Sequence, residues 1–171
     1  MRLRAVYFAP LLWLVSDCVG GQTTVPTSLV GPACSPAASQ QAAATRRELA
    51  SAFVGSRVID VVWERFTPGV ERVAGSSQLT LEVSDEAAAV DASSCLAELR
   101  VSTRFATADG TLALSGVGSL SGNATLAALV LDGLPNVSTA DVELSVDAVE
   151  ARFTFGDGST LSLRRASVTA P

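Results

Sequence analysis

Leu99-Arg100-Val101-Ser102-Thr103-Arg104-Phe105, then Asp109-Gly110, then Leu112-Ala113-Leu114-Ser115-Gly116-Val117-Gly118-Ser119-Leu120 is the stretch that decides the fold. Apolar and polar residues alternate on both sides of an Asp-Gly pair, which is the pattern of a β-hairpin. A type I′ turn centred on Asp109-Gly110 sets Phe105 opposite Leu114, Thr103 opposite Gly116, Val101 opposite Gly118 and Leu99 opposite Leu120. A second turn at Gly122-Asn123 leads into a third strand, Leu126 to Leu131, with Leu131 opposite Leu114 and Leu129 opposite Gly116. One face of this meander is apolar. Arg100, Ser102, Arg104, Ser115 and Ser119 fall on the other.

The flanking sequence extends the same architecture. Upstream, Pro36 to Val54 reads as a helix: Ser35 can cap it, Pro36 suits its first position, and Gly55 can end it. Ala38, Ala42, Leu49, Ala52 and Phe53 share one side at helical spacing, as in a helix lying on a sheet. Arg57 to Phe66 is β-branched and reads as a strand, stopped by Thr67-Pro68-Gly69. Gln78 to Ser84 alternates cleanly, and Ser84 to Ser94 reads as a short helical turn before Cys95. Downstream, Asp132 to Asn136 is a loop and Asp141 to Val149 a strand. Ala151 to Phe155 and Ser159 to Arg164 then form a last hairpin. A three-residue loop, Gly156-Asp157-Gly158, keeps Phe153, Leu161 and Leu163 on one face of it. The expected fold is mainly β (α+β): an N-terminal helix packed on an antiparallel β-meander or sandwich of seven or eight strands.

Met1 to Gly21 has the form of a signal peptide, with Arg2 and Arg4 before an apolar run from Ala5 to Val15. That run is shorter than the roughly 20 residues a membrane-spanning helix needs. Leu14-Val15-Ser16-Asp17-Cys18 resembles the lipobox of bacterial lipoproteins, which implies a lipid anchor on Cys18. The pattern takes Gly, Ala or Ser before the cysteine, and Asp17 departs from it; ordinary cleavage after Gly20 or Gly21 is the alternative. Residues 22–35 are rich in Thr, Ser, Pro and Gly without periodicity and read as a tether. Residues 36–171 form the helix-plus-β domain. Under either processing scheme Cys34 and Cys95 remain, and an oxidising compartment favours a disulfide between them.

Composition removes whole classes of chemistry. The chain has no His and no Lys, and all 12 of its basic residues are Arg. That excludes Ser-His-Asp and Cys-His catalysis, His metal ligation, Schiff-base chemistry and the P-loop lysine. A net charge of −5 without a basic cluster argues against nucleic acid and against anionic lipid headgroups. Arginine without lysine also fits the codon usage of a GC-rich genome, and hence a high-GC bacterium.

Carboxylates are the remaining catalytic material: Asp60 with Glu64, Asp85 with Glu86, and Asp141, Glu143 and Asp147. Paired carboxylates can hydrolyse glycosides if they converge on a cleft; on an alternating strand they more simply form a solvated surface. No EF-hand-type loop is present, and Asp109-Gly110, Asp132-Gly133 and Asp157-Gly158 are accounted for as turns. No cofactor or metal is expected. Asn123-Ala124-Thr125 and Asn136-Val137-Ser138 have the form of glycosylation sequons, which carry no meaning in a bacterium lacking that pathway.

Gly116 and Gly118 interrupt the apolar face of a central strand, which marks close approach by a ligand or by another part of the chain. A ligand groove would run over Gly116 and Gly118 between Val101, Phe105 and Leu129; otherwise the N-terminal helix or Trp63 fills that space. The functional expectation is an exported, non-enzymatic cell-envelope or secreted module, structural or binding. Its rivals are a carrier of a small apolar ligand and a carboxylate-based hydrolase. The expected partner is a protein or a small apolar ligand, with membrane contact only through an anchor at Cys18.

Overall fold

The computed structural model describes residues 34–86 and 95–166. The expected signal peptide, most of the expected tether, Cys18 and residues 87–94 of the expected helical turn lie outside the described residues. One helix, α1 (Pro36–Phe53), precedes eight strands: β1 (Gly55–Phe66), β2 (Val73–Asp85), β3 (Leu99–Thr107), β4 (Ala113–Gly122), β5 (Leu126–Asp132), β6 (Val137–Ser145), β7 (Val149–Phe155) and β8 (Thr160–Arg165). Each strand pairs antiparallel with the next, and β8 returns to pair with β1. The meander is therefore neither open nor folded into a sandwich; it is a closed barrel.

The reason lies in the alternation. Along β3 every second residue is buried, and β2, β5, β6, β7 and β8 repeat the pattern over part or all of their length. A single sheet with one continuous apolar face has to cover it, and closing on itself also removes most of its free edges. Phe105 and Phe153 meet edge to face inside, with ring centroids 5.8 Å apart. Leu79, Leu81, Leu120, Leu129, Leu144, Leu161 and Leu163 fill the space around them.

Both ends are shut. At the lower end α1 packs against β3 and β4. It buries Leu49 and Phe53 completely. Ser35 caps it by accepting a hydrogen bond from the Ala38 N–H at 3.2 Å, and Pro36 opens it. Arg57 locks the helix end to the wall: its guanidinium donates to the Phe53 carbonyl at 2.7 Å and to the Ser145 and Val146 carbonyls at 3.3 and 3.2 Å. It also lies 5.6 Å from the centre of the Phe53 ring. Burial lowers the pKa of Arg57, though an arginine stays cationic. The Cys34–Cys95 disulfide joins the foot of α1 to the approach to β3, with Cα atoms 5.6 Å apart. Arg46, buried on the same helix, donates to the Leu96 carbonyl beside it. At the upper end Trp63 covers Gly75 and donates its indole N–H to Asp109 at 3.2 Å, while Leu112 and Leu134 are buried under their turns.

Three details differ from the sequence reading. The β3–β4 register is the expected one, from Phe105–Leu114 to Leu99–Leu120. Its turn is not type I′, however, because only Gly110 has positive φ. Asp109 instead accepts a hydrogen bond from the Thr111 N–H at 3.0 Å and stays on the ordinary side of the map. Leu131 faces Gly118 and Leu129 faces Leu120, because the β4–β5 connection is longer than two residues. Asn123 holds it, its side-chain oxygen accepting from the N–H groups of Thr125 and Leu126 at 2.8 and 3.1 Å. Finally, Asp141 to Val149 is not one strand. It breaks after Ser145 into a tight turn closed by the Ser145 N–H and the Ala148 carbonyl at 3.0 Å.

No helix among the described residues is long and apolar enough to cross a membrane. The wall is apolar inside and carries Glu82, Arg104, Glu143 and Arg152 outside, the reverse of a lipid-facing barrel. The disulfide fits an oxidising, extracytoplasmic environment.

Candidate functional site

Val101, Phe105, Gly116, Gly118 and Leu129 do share one face, and that face lies inside the barrel. Val101, Phe105 and Leu129 are at most 1% exposed. The space above Gly116 is taken by Leu134, whose Cδ2 lies 2.6 Å from where a Cβ would stand. At Gly118 a Cβ would strike the Val130 carbonyl of β5. The two glycines thus admit a leucine from the β5–β6 turn and the backbone of the next strand. Neither α1 nor Trp63 is the filler.

The carboxylates fare differently from one another. Asp60 accepts from Gln78 at 3.3 Å and Glu64 pairs with Arg72 at 2.9 Å. Asp85 and Glu86 end β2 at the lower rim. Asp147 sits in the β6–β7 turn and pairs with Arg165, away from Asp141 and Glu143 on the strand. Among the described residues no three metal-ligating side chains come together. Two turn carboxylates are held below the usual carboxylate range. Asp109 falls from 3.8 to about 2, chiefly through the Thr111 backbone N–H and hydroxyl. Asp157 falls through the hydroxyl and backbone N–H of Ser159. Both are turn caps. A general acid at neutral pH needs the opposite shift.

What the structure does assemble is a depression of about 830 Å³ on the outer wall of β6, β7, β8, β1 and β2. One row of directly opposed residues crosses it: Asp141, Arg152, Ser162, Glu64 and Ala74. A second row carries Glu143 opposite Glu150, and Arg164 opposite Val62 opposite Ser76. Ser162, Val62 and Ala74 are small beside the long charged side chains that line the same depression, which makes the surface concave. Asp141, Glu143, Glu150, Arg152 and Arg164 form no ion pair with any described residue. Glu143 facing Glu150 is a like-charge pair, unfavourable in an isolated sheet.

Sequence reading found Asp141 and Glu143 but not Glu150, Arg152, Ser162, Arg164 or Val62 as their neighbours. The local signal was present only within each strand. The rows exist because β8 pairs with β1, and nothing local encodes that closure. Compared with known proteins, the chain matches no family model and no curated protein sequence.

Proposed function

We propose that the protein is an exported, non-catalytic binding module of the cell envelope or the secreted fraction, which meets its partner on the outer wall of β6, β7, β8, β1 and β2. The observation that carries this is a barrel filled inside and shut at both ends, with its concave, unpaired charges all outside. A carrier of apolar ligands would need interior room where Leu134 and the phenylalanines now pack. A carboxylate hydrolase would need two acids converging with one raised pKa, and Asp141 and Glu143 lie on an open surface.

Backbone NMR titration tests the reading, with muropeptides, uronic-acid oligosaccharides, a basic peptide and a fatty acid as probes. Binding on the wall shifts Val62, Glu64, Glu143, Glu150, Arg152 and Arg164. A saturable response to the fatty acid centred on Val101, Phe105 and Leu129 would establish the carrier instead.

A further inference from the structure

The barrel wall is not closed everywhere. The β2–β3 ladder begins at Leu79 opposite Thr107, and just above it the Ala108 N–H donates to the Gln78 carbonyl at 2.9 Å. Above that point the β3–β4 turn leaves, and Val73 to Ser77 face no described strand on that side. Successive residues of a strand point their backbone groups to alternate sides. Since the Gln78 carbonyl points toward β3, the N–H and C=O groups of Ser76 and Ala74 point the same way. Those four groups have no partner among the described residues. Natural edges are usually blunted by charge, proline or a bulge. The segment Val-Ala-Gly-Ser-Ser has none of these.

We propose that a second copy of this chain docks on this edge, through a two-fold antiparallel pairing of β2 with β2 centred on Gly75. The free stretch runs from Val73, at the hairpin tip, to Ser77, beside the β3–β4 turn, and Gly75 is its midpoint. A two-fold axis there maps the stretch onto itself. Ala74 of each copy then exchanges both backbone hydrogen bonds with Ser76 of the other, so all the free groups are used. Gly75 meets Gly75 at the axis, in the non-hydrogen-bonded position where antiparallel chains come closest. Its missing Cβ is already required by the Trp63 indole, 2.7 Å from that position. At the tip Arg72, ion-paired with Glu64 yet with its side chain 71% exposed, and Glu71 beside it lie toward the turn that carries the second copy's Asp109. The axis is perpendicular to the sheet, so the two concave walls lie side by side on one face. A ligand of the proposed wall site would meet both.

Sedimentation equilibrium between about 10 µM and about 1 mM reads the association directly. Hydrogen exchange of the Ala74 and Ser76 amides reads its location. The expected result is a monomer–dimer equilibrium, with both amides more protected as concentration rises. Ser76→Pro removes one outward N–H without touching the β1 ladder and shifts the protein to monomer. Ala74→Lys with Ser76→Lys opposes like charges across the axis and does the same, which covers the case in which the proline variant fails to fold. A monomer throughout the range, a dimer undiminished in the folded variants, or exchange independent of concentration would each overturn the proposal.

Discussion

Asp109 shows how one turn residue can hold two elements. Its carboxylate accepts from the Thr111 N–H and from the Trp63 indole N–H, tying the β3–β4 turn to the tryptophan that covers the upper end. Because its pKa in the folded chain is lowered to about 2, its stabilisation is in place at neutral pH. That contribution is lost as pH falls from 3.8 toward about 2, where the folded carboxylate finally takes a proton. Asp109→Asn should therefore lower the melting temperature at neutral pH and weaken its fall in acid, read by thermal unfolding across the pH series. The Trp63 indole N–H resonance should move in the same variant. The two strand glycines separate just as cleanly. A Cβ at Gly118 meets backbone, which cannot give, so Gly118→Ala should cost about 2–3 kcal/mol. A Cβ at Gly116 meets the end of the flexible Leu134 side chain, so Gly116→Ala should cost about 1 kcal/mol or less, and Leu134→Ala should abolish that cost in a double-mutant cycle. Equal costs in urea titrations would refute this account of the glycines.

Among the elements, α1 and the β3–β4 and β7–β8 hairpins were the most readable, because their signals are local. The cap at Ser35, the proline at Pro36 and the apolar spacing of Ala42, Leu49 and Phe53 all act within a few turns of one helix. The β7–β8 hairpin followed from face matching, and Phe153 does face Leu161, with Gly158 at φ 79° in the turn. The β4–β5 register was not readable, since it depends on a side chain, Asn123, choosing the backbone N–H groups two and three residues ahead of it. The break after Ser145 was hidden because Val146 continues an apolar alternation into a turn, where it stands 62% exposed. The disulfide was readable from cysteine count and compartment, and it acts on α1 as an element. With a sequence separation of 61, removing it as Cys34→Ser with Cys95→Ser should cost about 4 kcal/mol, mostly by freeing the unfolded chain. Chemical denaturation of the oxidised protein against the double variant measures this; equal midpoints would mean that Arg46 and the buried face of α1 suffice without the bridge.

At the scale of the molecule, closure turns a sheet with one apolar face into a filled core, and the proposed partner site on the outer wall rests on that filling. The interior depends on α1 as its lower stopper. Phe53 is fully buried, Arg57 holds the carbonyl of that same residue, and Val54 leads directly into β1. The stopper therefore cannot swing away without breaking Arg57 of β1 from the Phe53 carbonyl. Truncating it in place is the sharper test. Phe53→Ala should destabilise the barrel by about 3–5 kcal/mol, through lost burial and the space left behind. The vacated volume opens onto the apolar core, with the Arg57 guanidinium on one side, and should bind xenon or benzene that the wild-type protein does not. Binding of such probes by the wild type would mean that the interior is already open, and the case for a partner on the outer wall would lose its footing. A large loss of stability with no probe binding would mean instead that α1 and the strands collapse around the missing ring, which places the slack of this barrel in its helix.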